Sequence, residues 1–226
     1  MGIDIKPKFV SFDLHGTLIH FRLDETVRKI LGDRLPAEIV DDFELAGEQI
    51  RFDECMGDWR PYHQIIDVAL RRTMARFGLE YREGDGRALY EAIGTWGPYP
   101  DVPRALRRLA EAVPLVILTN SDDAQVVHNV ERLEAPIHAV ITAEQAQAYK
   151  PRLRAFEYML EKLGASPDEV VHVSSSPQYD HRPAFDVGIK NKVYMDRGWE
   201  PDQPWLSYTR ITDIAELPVL FGLERP

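Results

Sequence analysis

The chain has 226 residues, 44% of them hydrophobic, which suits one large domain or a core with a smaller insertion and excludes global disorder. With 27 Lys and Arg against 37 Asp and Glu, the net charge of -10 argues against nucleic acid as a partner and requires that any anionic ligand be held by local donors. Cys55 is the only cysteine, no secretory apolar segment opens the chain, and no apolar run reaches the length of a membrane span, so a soluble cytoplasmic protein with no membrane partner is expected.

In chain order, Phe9-Val10-Ser11-Phe12 reads as a short buried strand. Asp13 sits where it ends, Gly16 suits a sharp turn, and Thr17 offers a hydroxyl and a backbone donor. An open parallel sheet binds ligands at the carboxyl ends of its strands, which makes Asp13 a candidate working carboxylate; a turn aspartate is the alternative. Helices are predicted over 22–31, from 36 to about 52, over 61–77 and over 87–93, with a break at Cys55 to Asp58. The third carries Tyr62, Ile65, Ile66, Ala69, Leu70 and Met74 at three- and four-residue steps. Trp96-Gly97-Pro98-Tyr99-Pro100 is a rigid return linker.

From 101 the pattern alternates: helix 101–112, strand 114–118, helix 122–133, strand 139–142, helix 151–163, strand 170–174, a helix around 181–186 and strand 192–196. The tail after Trp199 reads as irregular structure or a short final helix. This alternation predicts an α/β fold, a doubly wound parallel sheet, with a helical cap inserted after the first strand. The expected division is 1–18 and 97–226 for the core and 19–96 for the cap.

Four strand ends then share one edge. Asp13, Thr119-Asn120-Ser121 and Ser174-Ser175-Ser176 each follow an apolar strand, Lys150 follows a fourth, and Asp180 lies just past the serine run. Each has an ordinary alternative as a helix cap, a surface lysine or a loop, but together they place a nucleophile candidate, hydroxyls, an ammonium and a second carboxylate in one region.

These stretches, Phe12-Asp13-Leu14-His15-Gly16-Thr17-Leu18, Leu118-Thr119-Asn120-Ser121, Tyr149-Lys150-Pro151 and Val173 to Asp180, resemble in order and spacing the four motifs of the haloacid dehalogenase superfamily of hydrolases. The inserted helices, with Trp59-Arg60-Pro61-Tyr62 and Ala69-Leu70-Arg71-Arg72, resemble the caps of type II 2-haloacid dehalogenases. The resemblance implies a Rossmann-like core. Most superfamily members are magnesium-dependent phosphatases with a second aspartate two residues after the nucleophile, where this chain has His15. A halide leaving group needs no proton, whereas a phosphate ester does, and the serine run removes oxygens that a hard cation wants. A neutral His15 would fill the role of the tyrosine that dehalogenases carry there; a protonated one would serve as an acid.

The resemblance therefore implies a hydrolytic dehalogenase of short 2-haloalkanoic acids. Asp13 displaces halide and forms an ester, Lys150 keeps Asp13 ionised, and Asp180 activates the water that opens the ester. Ser175 positions Lys150 or Asp180, while Leu14, His15, Thr17, Thr119 and Asn120 hold the substrate. No cofactor and no metal are implied, except Mg2+ if the protein is instead a phosphatase of this fold. A non-catalytic binding relative is the third class, and a homodimer is expected by analogy alone. Three positions depart from the type II pattern: Phe156 replaces a tyrosine, Pro177 an asparagine, and Phe43 the arginine that receives halide. Arg51, two turns further along the same helix, is either its substitute or a solvated helix-face charge. The other histidines, His20, His63, His128, His138, His172 and His181, show no metal-ligand spacing and read as structural or surface residues, although His181 adjoins Asp180.

Overall fold

A computed structural model describes residues 6–226. Among these, six strands form one parallel sheet in the order β3-β2-β1-β4-β5-β6. They are β1 (Phe9–Phe12), β2 (Leu115–Thr119), β3 (Ala139–Thr142), β4 (Val170–Ser174), β5 (Asn191–Met195) and β6 (Thr209–Ile211). Between β1 and β2 run α1 (Leu23–Leu31), α2 (Val40–Met56), α3 (Tyr62–Arg76), α4 (Asp85–Ile93) and α5 (Val102–Ala110). The later helices are α6 (Asp123–Glu131), α7 (Ala143–Ala146), α8 (Leu153–Leu163), α9 (Arg182–Asp186) and α10 (Leu217–Leu220).

The α/β doubly wound architecture follows from strands that are apolar on both faces. Leu115 and Ile117 of β2 join one core with Val10, Phe12 and Leu106, whereas Val116 and Leu118 join another with Phe156 and Met159 of α8. The apolar stripe of α3 is buried as its spacing predicts, with Ile65, Ile66, Leu70 and Met74 each at most 5% exposed. Gly86 lets α4 approach α3, since a Cβ there would lie 2.4 Å from Asp67 Oδ1.

Several boundaries differ from the sequence expectations. Helix α2 continues through Cys55 and Met56, because Glu54 and Cys55 face the interior, and it stops only at Gly57. The tail adds a strand, β6, too short for alternation to be visible in its three residues. Helix α7 is a single turn capped by Thr142, whose hydroxyl accepts from the Gln145 N–H at 3.1 Å. Residues 177–181 form a wide π-helical turn ahead of α9. No helix among the described residues is long and apolar enough to cross a membrane.

Candidate active site

Strand order reverses between β1 and β4, and the crevice at such a reversal is where open α/β sheets bind ligands. Asp13 sits at this crevice, its N–H donating to the Val173 carbonyl at 3.0 Å. The chain then doubles back, with the Leu18 and Ile19 N–H groups both donating to the Leu14 carbonyl at 2.9 Å. Gly16 makes the turn at φ +92°, a left-handed conformation that favours glycine. The turn returns the Thr17 hydroxyl to Asp13, where it donates to Oδ2 at 2.6 Å. Arg197, paired with Asp101 at 3.0 Å, braces the Thr17 carbonyl from outside.

Lys150 is carried to the same place by Asn120. The Asn120 amide accepts from the Lys150 N–H at 2.7 Å and donates to the Lys150 carbonyl at 3.0 Å. Lys150 is only 2% exposed, and its ammonium donates to Asp13 Oδ1 at 2.7 Å, Asp180 Oδ1 at 2.7 Å and the Leu118 carbonyl at 3.0 Å. All three of its protons are matched, as a buried ammonium requires.

Burial raises the Asp13 pKa above the ordinary carboxylate value; Lys150 and Thr17 pull it down, and the Asp180 charge pushes it up. Asp180 is buried as well, yet Lys150 and the ring of His172 hold its pKa down to about 2. Lys150 is desolvated, but the two carboxylates keep its pKa above the usual lysine value.

His15 borders the cavity with its Nε2 3.2 Å from Asn129 Oδ1. The Asn129 amide nitrogen donates to the carbonyls of Ile93 and Trp96, at 3.1 and 3.0 Å, so its oxygen must face His15. The network therefore assigns the imidazole proton to Nε2. Burial takes the His15 pKa down to about 4, so the ring is neutral at neutral pH. The protonated option from the sequence is thus corrected: this group has no spare proton to give a leaving oxygen.

Asp13, His15, Thr119, Asn120, Lys150, Ser175, Asp180 and Arg51 all border one cavity of about 210 Å³. The solvated alternative for Arg51 is overturned, because the residue is 8% exposed. Its guanidinium carbon lies 5.3 Å from the Phe21 ring centroid and 5.7 Å from that of Tyr179, and its Nε has no hydrogen-bond partner. A buried, incompletely paired guanidinium is a natural place for an anion. Phe43 and Arg51 lie on the same helix, α2, and both border this cavity.

Other expected contacts are corrected. Leu14 and Thr17 are fully buried behind Asp13 and do not border the cavity. Ser175 reaches neither Lys150 nor Asp180: its N–H donates to the Thr17 hydroxyl at 2.9 Å, so it supports Asp13 through Thr17. The Asn120 side chain holds the backbone of Lys150, which leaves one of its N–H groups for a ligand.

Some contributors carry no sequence signal. Asn129 looks like any polar residue on α6. Trp199 and Glu200 lie in the tail, yet both border the cavity. The Trp199 indole N–H donates to the Gly16 carbonyl at 3.2 Å, and the Glu200 carboxylate accepts from the Ser176 hydroxyl and the Gln178 N–H. His172, expected to be structural, touches Asp180 through Nε2 at 3.0 Å.

The donor set does not fit the magnesium ion of the superfamily's phosphatases. A hard cation wants six or more oxygens, whereas Asp13 and Asp180 both accept from one ammonium and position 15 presents a neutral imidazole. Among the described residues no group of three or more His, Cys, Asp or Glu side chains is placed to hold a metal ion.

A family model for haloacid dehalogenase-like hydrolases matches residues 7–187. The chain belongs to this family. It is 30% identical to the (S)-2-haloacid dehalogenase of Xanthobacter autotrophicus over 80% of this chain and 70% of that one. It is also 30% identical to (S)-2-haloacid dehalogenase 4A of Burkholderia cepacia, over 61% of this chain and 58% of that relative, so the match spans less than two thirds of the latter protein. The solved L-2-haloacid dehalogenase of Xanthobacter autotrophicus with chloropropionic acid covalently bound shares the fold, with a TM-score of 0.77, 20% identity, and coverage of 96% of this chain and 98% of that one.

Proposed function

We propose that this family member is a hydrolytic 2-haloacid dehalogenase that works through an ester on Asp13. One Asp13 oxygen attacks the halogen-bearing carbon as the carbon-halogen bond breaks, and halide departs with its electron pair. Water then adds to Cγ of Asp13, Asp180 accepts its proton, and the 2-hydroxy acid leaves. Lys150 keeps Asp13 ionised and afterwards polarises the ester carbonyl. Arg51, with the Asn120 N–H, meets the negative charge that the substrate brings and the halide carries away. Helices α1 to α4, within 19–96, act as the cap over the site. Buried Cys55, the chain's lone cysteine, suits a reducing, cytoplasmic setting.

The observation that carries this proposal is the pair of carboxylates held 2.7 Å from one buried ammonium, with a neutral His15 where phosphate chemistry needs an acid. A halide-release panel tests it, using chloro-, bromo- and fluoroacetate and both 2-chloropropionate enantiomers with and without EDTA. Halide release that survives EDTA is expected. EDTA-sensitive phosphate release, with no halide from any substrate, would replace the proposal with the phosphatase reading.

A further inference from the structure

His172 lies in the middle of β4, fully buried and in register with Ser11 of β1. A histidine inside a parallel sheet is costly unless both ring nitrogens find partners. Here both do: Nδ1 is 2.8 Å from the Ser11 hydroxyl and Nε2 is 3.0 Å from Asp180 Oδ1. The ring also packs edge-on against Phe156, centroids 5.2 Å apart, so its orientation is set from three sides. Ionised Asp180 accepts only, which puts a proton on Nε2. The Ser11 hydroxyl donates to the Val171 carbonyl at 3.4 Å and stands 2.8 Å from Nδ1, so this side of the ring is held as well.

The consequence falls on Asp180. Its Oδ1 accepts two N–H bonds, from Lys150 and His172, while its Oδ2 is buried with no partner. One oxygen is anchored and the other is left free to take a proton.

Building on the ester mechanism above, we infer that His172, backed by Ser11, is a positioning residue for ester hydrolysis, anchoring Asp180 so that Oδ2 serves as the base. Lys150 cannot anchor Asp180 alone, because it is shared with Asp13. Once Asp13 is an ester, the ammonium must lean toward the ester carbonyl to polarise it. His172 then holds Asp180 whichever way Lys150 leans. In the step itself, a water O–H bond breaks, the oxygen bonds to Asp13 Cγ and the proton passes to Asp180 Oδ2. The tetrahedral adduct collapses, its C–O bond to the product breaks, and the departing alkoxide takes the proton from Asp180. Asp13 re-ionises and releases the remaining proton to solvent.

The test separates the two half-reactions by rapid quench, using whichever panel substrate wild type dehalogenates fastest. His172→Phe should keep a halide burst of about one per active site, show the ester adduct by intact mass, and turn over roughly 10–100-fold more slowly. His172→Gln, which retains an N–H donor, should recover most of that loss, and Ser11→Ala should slow the same step more mildly. A purely structural role would lower burst and turnover together without trapped ester, and that result overturns the inference, as does His172→Phe turning over like wild type. Should His172→Phe fail to fold, Ser11→Ala decides: trapped ester there supports the inference, and its absence overturns it. Wild type releasing no halide would instead overturn the dehalogenase mechanism and the inference with it.

Discussion

On the sheet side of the cavity the charged groups of the nucleophile's cluster hold one another. Lys150 has three acceptors, Asp13 has two donors, and Asp180 is anchored through one oxygen. On the helical side Phe21, Phe43, Ile66 and Leu70 line the cavity together with the carboxylates of Asp24, Glu44 and Glu48, and one buried cation, Arg51, has an unpaired Nε. A cluster of mutually bonded charges is rigid, and here only Asp180 Oδ2 is left without a partner, whereas an incompletely paired cation favours an anion that reaches it. On the proposed mechanism, bond-breaking falls to the sheet edge and recognition to the helices.

The comparison breaks most sharply at Asp13. Asp13→Asn removes the nucleophile while leaving a side chain of the same shape, so halide release should fall on the order of 10³-fold or more with the thermal midpoint little changed. Residual activity near wild type would mean that water attacks the substrate directly. Arg51→Met comes next. It should lower kcat/KM by roughly 10–100-fold, because a hydrogen bond to a charged group contributes about 1.5–3 kcal/mol. It should also leave stability unchanged or raised, since a buried, incompletely paired cation is removed. A drop in melting temperature with unchanged kcat/KM would reassign Arg51 to structure.

Gly86→Ala probes the helical side alone. The added Cβ meets Asp67 Oδ1 at 2.4 Å and Asp67 Cα at 2.7 Å, so α4 must shift from α3. A loss of about 1–3 kcal/mol of stability is expected by denaturant titration, with KM affected more than kcat. An equal loss in both would show that the two walls are not independent.

The smallest expected effect is on pH dependence. His15 is neutral down to about pH 4, so the profile of kcat/KM should show no inflection between pH 6 and 7 from this ring. Asp13 must be ionised to attack, and burial raises its pKa above the ordinary carboxylate range. Activity is therefore present above that raised pKa and lost as pH falls through it. His15→Phe should leave the acid limb where it is; a limb that moves with this substitution would make His15 a proton carrier.

The sheet and the convergence of Asp13, Thr119, Lys150 and Ser175 were legible because each follows an apolar strand, and the parallel fold brings strand ends together. Which atoms meet there was not legible. Ser175 and Thr17 both have partners other than the expected ones, because a hydroxyl's partner depends on a turn that Gly16 closes, not on spacing. Asn129 and His172 hid for a different reason: a single polar residue on a buried face looks the same whether it bonds a carbonyl or an active-site group. Arg51 was ambiguous because α2 shows no clear apolar stripe, and only packing against Phe21 and Tyr179 shows which side faces inward. Glu200 and Trp199 come from an irregular tail, where no periodicity says which way a side chain points.

The covalent role of Asp13 is tested most directly by a single turnover in 18O-labelled water with enzyme in excess over haloacid. Water attacks Cγ of Asp13, so the first product should carry an unlabelled hydroxyl oxygen taken from the carboxylate, and a peptide containing Asp13 should gain the label. Label in the product with none in Asp13 would contradict the account.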